Sequence, residues 1–370
     1  MTDMHGIVFA FHSFPELGAL QLPRTAASLP FCGRYRLIDF SLSAMTNAGV
    51  RDVGVIVQRD YRSLLDHMRG GKDWDLSRRD GGYRMLPPFG MPNSHLGEYK
   101  GCMEALSAVT DYLEDIRQKY VVITRGDLIA GLDLAEVYES HVRSGCEITA
   151  VCTGTVPSGS HHRYILDGEG RAVDILCCQT GDTGGVTSLE VYIINKDTLL
   201  KLVSTCSAHR QPHLHRDALK GYLQNGGVMN VYMFSGYSRH VTSVREYYRV
   251  NMDMLRRGPR DDVFSPERPV RTREHSDTST YYADKASVHN CLIADGCTID
   301  GDLENCVVFA GCHIGEGVRL RNCIVMQNTV VNKDARMSYV IADKDVVITE
   351  GTNLAGCPDL PLIIPKGTKL

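Results

Sequence analysis

From Tyr281 onward, β-branched or leucine side chains recur about every six residues. They fall at Ile293 and Ile299, then Val308, Ile314 and Leu320, then Val325 and Val331, with glycine and asparagine between them. The pattern predicts a parallel β-helix over residues 281–370, each rung burying its aliphatic side chains against the next. The segment IADGCTIDGDLENCVVFAGCHIGEGVRLRNCIVMQNTVV sustains it for several rungs. Such a solenoid has an open end and flat faces, so oligomerisation is expected.

Upstream, to about Leu255, the chain alternates short β-branched runs with helical patterns. Val53 to Val57, Tyr120 to Thr124, Glu147 to Thr153 and Leu189 to Asn195 read as buried strands. Amphipathic segments at Ile38 to Ala48, Lys100 to Lys119 and Leu134 to Ser144 separate them. This alternation predicts an α/β domain with a mostly parallel sheet over residues 1–255, with its ligand site beyond the carboxyl ends of the strands. The polar, Pro- and Arg-rich stretch 256–280 reads as a linker. Two domains also suit a chain of 370 residues.

A formal charge of −4 gives no reason to expect nucleic acid or an anionic membrane as a partner. There is no apolar run of spanning length and no signal-like start, so a cytoplasmic location is expected. The 13 cysteines are odd in number and read as reduced thiols. No zinc spacing accompanies them, and His161–His162 and His213-x-His215 read as solvated loop histidines.

The first strand runs into a loop, Phe11-His12-Ser13-Phe14-Pro15-Glu16, that lacks the glycines and cation a phosphate-cradling turn needs. The segment that follows, PFCGRYRLIDFSLSAMTNAGVRDVGVIVQ (Pro30 to Gln58), resembles the sugar-nucleotide pyrophosphorylases, in particular bacterial glucose-1-phosphate adenylyltransferase. LPPFG (Leu86 to Gly90), YKGCMEAL, RGDLIAGLDL, YYRVNMDML, MQNTVV and VIADKDVVI extend the resemblance, in family order, over nearly the whole chain. It implies a Rossmann-like nucleotidyltransferase domain followed by a left-handed parallel β-helix. The family's enzymes join glucose 1-phosphate to ATP, giving ADP-glucose and pyrophosphate. That displacement at phosphorus depends on positioning, a magnesium ion and cations that balance developing charge.

Carried over residue by residue, the resemblance implies losses. The glycine positions of the family's G-G-x-G-x-R-L loop fall on Phe11, His12 and Phe14, and its arginine on Glu16. The lysine and proline of A-K-P fall on Ala26 and Ala27. Of two metal-binding aspartates, one is kept as Asp127, with Leu128 replacing the following histidine, and the other falls on His240, with Thr242 at a glycine position. The sugar-phosphate lysine of E-K-P lies in a region that reads Cys177, Cys178, Gln179, and the glycine of S-M-G becomes Glu190 after Ser188 and Leu189. Arg34, Arg36 and Asp39 remain, with a structural role expected for them around the start of a helix near Asp39.

The expectation is therefore a non-catalytic, regulatory D-type subunit that joins catalytic subunits of the same family in a heterotetramer, or forms a homo-oligomer without them. No cofactor or metal is expected, and magnesium only if some activity remains. Alternatives are a weakened adenylyltransferase using Asp127 with His240 as ligand, and a metabolite sensor that binds a sugar phosphate without turnover. A β-helix acyltransferase would need a catalytic histidine in the solenoid, which offers only His289 and His313.

Overall fold

The structure is a computed structural model that describes residues 3–22, 24–79, 81–88, 98–156, 161–181, 184–274 and 277–370. Phe89 and Gly90 of the LPPFG segment, and His275 and Ser276 of the expected linker, lie outside the described residues. The first domain is built on nine strands: β1 Met4–Phe9, β2 Asp52–Ile56, β3 Gly82–Leu86, β4 Tyr120–Arg125, β5 Ile148–Thr153, β6 His161–Leu166, β7 Ala172–Gln179, β8 Val186–Asn195 and β9 Met229–Met233. They form one sheet in the order β3-β2-β1-β4-β8-β5-β9-β7-β6.

The expected parallel arrangement holds from β3 to β4 and again between β5 and β9. The long strand β8 is antiparallel to both β4 and β5, and β7 is antiparallel to its neighbours, so the second half of the sheet is mixed. Side chains alternate between the two faces, as a strand requires. Ile7 and Phe9 of β1 join one apolar cluster with Met103, Leu106, Leu199 and Val203. Met4 and Val8 join the opposite cluster, with Ile38, Leu42, Met45 and Val137. The helices that cover the sheet include α1 Ile38–Asn47, α2 Leu134–Ser144 and α3 Lys196–Ala208.

The amphipathic stretch 100–119 is two short helices, Cys102–Ser107 and Thr110–Glu114. Side-chain hydroxyls explain the break. Ser107 Oγ donates to Met103 O and Thr110 Oγ1 to Ser107 O, taking carbonyls near the junction.

The second domain is a left-handed β-helix of three five-stranded parallel sheets. Leu292, Val307 and Ile324 stand one above another on one face, and Thr298, His313 and Val330 on the next. Ile299, Val308, Ile314, Leu320, Val325 and Val331 fill the interior, as the repeat requires. Asn290, Asn305 and Asn322 turn successive corners with left-handed backbone (φ +50° to +55°), which asparagine tolerates better than most residues.

The stretch read as a linker carries structure. After α4 Val244–Asp253, the helix α5 Arg257–Val263 places Val263 in an apolar cluster between the domains. The following segment is strapped across α1: Arg271 N donates to Ser43 Oγ (2.8 Å) and Asn47 Nδ2 to Pro269 O (3.1 Å). Backbone and polar partners order this segment where apolar periodicity is lacking.

The domains share a continuous core. Leu17, Leu20, Leu29, Phe31 and Val250 of the first domain pack with Val307, Phe309, Ile324 and Met326 of the second. Beside it, Arg24 NH2 reaches both carboxylate oxygens of Asp343 (2.9 and 2.7 Å), with side chains only 3% and 1% exposed. Removing one partner of such a pair leaves a buried charge uncompensated, at about 3–5 kcal/mol. Arg24→Met is therefore expected to lower the midpoint of thermal unfolding sharply. Arg24→Met with Asp343→Leu should recover most of that loss, both read by calorimetry.

Candidate functional site

The loop after β1 forms at the carboxyl ends of the strands, where a ligand is expected. Phe11 is buried, and its ring stacks on His12 (centroids 4.7 Å, 14° between planes). His12 lies parallel to Phe14 at 6.2 Å, and Tyr99 meets Phe11 edge-on at 5.4 Å. Phe14 N donates to Gln21 Oε1 (2.8 Å), which fixes the loop's exit. Surrounding protein pushes the His12 imidazole down to about 4, and Arg125 adds to the shift, so His12 is neutral at pH 7. A column of rings fills the space that phosphate would need.

Arg125, the last residue of β4, is the hub. Its Nε and NH2 donate to the two oxygens of Asp127 (2.8 and 2.6 Å), and its NH1 donates to Glu190 Oε1 (2.8 Å). The guanidinium carbon lies 5.2 Å from the Phe14 ring centroid. Burial alone would raise both carboxyls, but Arg125, helped by His240, holds each well below the usual carboxylate range. His240 stands on a short ribbon pairing Leu128–Ala130 with Ser238–His240; its Nε2 lies 3.1 Å from Leu189 O, and its Nδ1 is 3.5 Å from Asp127 Oδ2.

Glu190 sits in a bulge of β8 between Ser188 and Val191, with φ +53°. This is the left-handed backbone a glycine would adopt freely, at the position where the resembled family carries one. The bulge directs Glu190 toward Arg125, and its N–H donates to Ser188 Oγ (3.0 Å).

The histidine clusters are not solvated loop residues. His161 and His215 are buried. His162 of β6 stacks on His215 at 3.7 Å, and His215 Nε2 is 2.6 Å from the Tyr192 hydroxyl, itself 3.0 Å from Tyr164 and 2.8 Å from Ser188 Oγ. His215 lies in a π-helical turn, Leu214–Leu219, which carries it to the sheet. Burial and the neighbouring His162 lower its imidazole to about 3. Cys177 and the exposed Cys178 lie on β7, connected to this group through Cys178 N and His162 Nδ1 (3.4 Å).

The structure thus brings Phe11, His12, Phe14, Asp127, Glu190 and His240 together, and adds Arg125, which the sequence reading did not single out, and His162 and His215, which it read as solvated. It leaves Glu16 exposed on the turn Pro15–Leu20. Ala26 is 1% exposed and packs in the interdomain cluster, so the lysine position has become core. A magnesium ion does not fit this donor set. Both oxygens of Asp127 are engaged by a guanidinium, and among the described residues no group of three His, Cys, Asp or Glu is arranged to hold a metal.

Arg36 and Asp39 meet at the start of α1, as a structural role there requires. Asp39 accepts from Arg36 N (2.9 Å) and binds His67 Nε2 at 2.6 Å, while Arg36 NH1 donates to Ser63 O and Oγ (2.7 Å each). Arg34, Arg36, His67, Arg273 and Lys344 border a cleft of 250 Å³ between the domains. Burial, then Arg36 and Arg24, lower the Lys344 ammonium to about 7.

A nucleotidyl transferase family model matches residues 22–257, and a GlmU-like C-terminal hexapeptide model matches residues 277–357. The chain is 33% identical to a glycogen biosynthesis protein, GlgD, of Bacillus subtilis, over 96% of this chain and 93% of that protein. It is 30% identical to a glucose-1-phosphate adenylyltransferase of Desulfitobacterium hafniense, over 90% of this chain and 84% of the relative. A glucose-1-phosphate adenylyltransferase of Fervidobacterium nodosum is 26% identical over 96% of this chain and 86% of its own length. Among the described residues no helix is long and apolar enough to cross a membrane.

Because the folded-state values of Asp127 and Glu190 are depressed, their contribution to stability is complete above the unfolded carboxyl range near 4 and is lost only as pH falls toward the folded values. Arg125→Gln should therefore cost about 3–5 kcal/mol at pH 7. Below pH 4 the gap to the parent should narrow as the freed carboxyls take up protons. Urea unfolding at pH 7 and pH 3.5 measures both.

Proposed function

The chain belongs to the nucleotidyl transferase family that contains the glucose-1-phosphate adenylyltransferases, and from that membership we propose that it is a non-catalytic regulatory subunit of such an enzyme. It would assemble with a catalytic subunit and raise or tune ADP-glucose synthesis for glycogen. One observation carries this reading: Arg125, Glu190 and the Phe11-His12-Phe14 ring column occupy the strand ends with the protein's own charges and side chains. Phosphoryl transfer needs cations and a metal free to meet the substrate's oxygens. Here the cation is neutralised internally.

Assembly is supported by the first turn of the β-helix. Its strands Tyr281–Tyr282 and Ser287–His289 are paired on one side only, and Tyr281, Tyr282 and Val288 are exposed. An unpaired strand edge with exposed apolar side chains favours association. Activation of a partner further requires that this chain bind the partner's active state more tightly than its inactive one.

A second reading, a metabolite sensor, is favoured by the cleft between the domains. With the strand ends filled, the cleft sets Arg34, Arg36, Arg273 and Lys344 against the two carboxylates Asp277 and Asp295, an excess of positive charge that suits a sugar phosphate. A bound anion would favour protonated Lys344, so affinity should fall as pH rises above about 7.

ADP-glucose formation from ATP and glucose 1-phosphate, measured for this chain, a catalytic relative and their mixture, tests the first reading. Silence alone with a mixture faster than the relative is expected; turnover by this chain alone, abolished by Asp127→Asn, would overturn it. For the second, Lys344→Met should weaken glucose 1-phosphate binding by about tenfold, the worth of one charged hydrogen bond, and flatten its pH dependence in calorimetric titration.

A further inference from the structure

The strand that carries the ring column at one end borders a separate cavity at the other. His5, near the start of β1, lines a 610 Å³ cavity with Arg79, Arg84, Tyr112, Arg117 and Gln118. His5 is 4% exposed; its Nε2 lies 2.8 Å from the Tyr112 hydroxyl, and its buried Nδ1, with Gln118 nearby, makes no hydrogen bond of ordinary length and angle. A buried polar atom left in this state is costly unless something satisfies it. Burial pushes the His5 imidazole down to about 4, so the ring is neutral at pH 7. When Tyr112 donates its O–H to Nε2, the neutral ring carries its proton on Nδ1 and offers a donor.

The charges around this ring are unbalanced. Among the described residues the cavity carries two carboxylates, Asp52, engaged on both oxygens by Gly82 N (2.8 Å) and by Gln118 Nε2 (2.5 Å), and Asp115. Against these two stand three guanidinium groups, none with an ion-pair partner among the described residues. Arg84 rests near the Tyr112 ring, 5.9 Å from its centroid, which holds it at the cavity wall. Three forked donors over a buried N–H suit an acceptor-only ligand with several oxygens pointing in different directions. They repel a metal ion.

We infer that this cavity is a binding site for a small phosphate-bearing anion, distinct from the strand ends and from the cleft between the domains. The arginines would hold the peripheral oxygens, and the His5–Tyr112 pair would meet the innermost one. Nothing in the inference depends on the regulatory reading, since the cavity lies at the amino ends of the strands, opposite the end that carries the Arg125 cluster.

The probe is inorganic phosphate, titrated calorimetrically into the full chain at constant ionic strength, with succinate as a dicarboxylate control. Arg84→Gln combined with Arg117→Gln should weaken phosphate binding at this site at least tenfold, whereas Lys344→Met, in the interdomain cleft, should leave that site unchanged. Both arginines are exposed, so the variant keeps its fold, and His5→Gln gives a second measure that should weaken binding without touching the rim. The inference is overturned if the parent shows no phosphate binding that survives Lys344→Met. It is also overturned if the double variant binds like the parent, or if succinate binds equally well.

Discussion

Two buried carboxylates at the end of a sheet can remain ionised together only if a cation stands between them, and Arg125 is that cation. Its three donors meet Asp127 twice and Glu190 once, and its face is covered by Phe14. Burial holds His12 and His215 neutral. The strand ends therefore carry one guanidinium between two carboxylates. A divalent metal would have to displace the guanidinium, and a triphosphate would meet two carboxylates. The charges of the arrangement satisfy one another without a ligand.

The same short segment that fills the site also docks the second domain. Phe14 covers Arg125, and three and six residues later Leu17 and Leu20 enter the core shared with Phe309 and Met326. Arg24 then closes on Asp343, and Ala26 packs where the resembled enzymes place a lysine. An ammonium at position 26 would have to be buried in that core at a cost of several kcal/mol. A cation at position 26 would therefore oppose the close packing of the two domains.

Much of this was legible in the sequence, and the limits have physical causes. The six-residue recurrence from Ile293 to Val331 translates directly into β-helix turns, because each interior position must be aliphatic wherever it stacks on its neighbour. The departures expected at Phe11, His12, Phe14, Glu16 and Ala26 were placed by their offset from the motif Arg24 to Phe40. Arg125 was not, since its role follows from meeting Glu190, which a bulge in a distant strand redirects. His162 and His215 read as solvated for the same reason: a π-helical turn stacks one on a strand residue that sequence spacing keeps far from it. The ordered strap over α1 escaped notice because it is held by hydrogen bonds with Ser43, Thr46 and Asn47, which leave no apolar period.

Taken as a distribution of charge, the structure moves the capacity to meet anions away from the place where the fold ordinarily keeps it. Arg24 is neutralised by Asp343 and Arg125 by Asp127 and Glu190, whereas Arg34, Arg273 and Lys344 face a cleft bounded by both domains. A ligand seated at the strand ends would touch the first domain alone. One seated in the cleft would touch both, and its binding free energy would depend on how they are packed. A ligand shifts an equilibrium only by its differential affinity for the two states. In this chain the domain boundary, and not the filled end of the sheet, is where such a difference can arise.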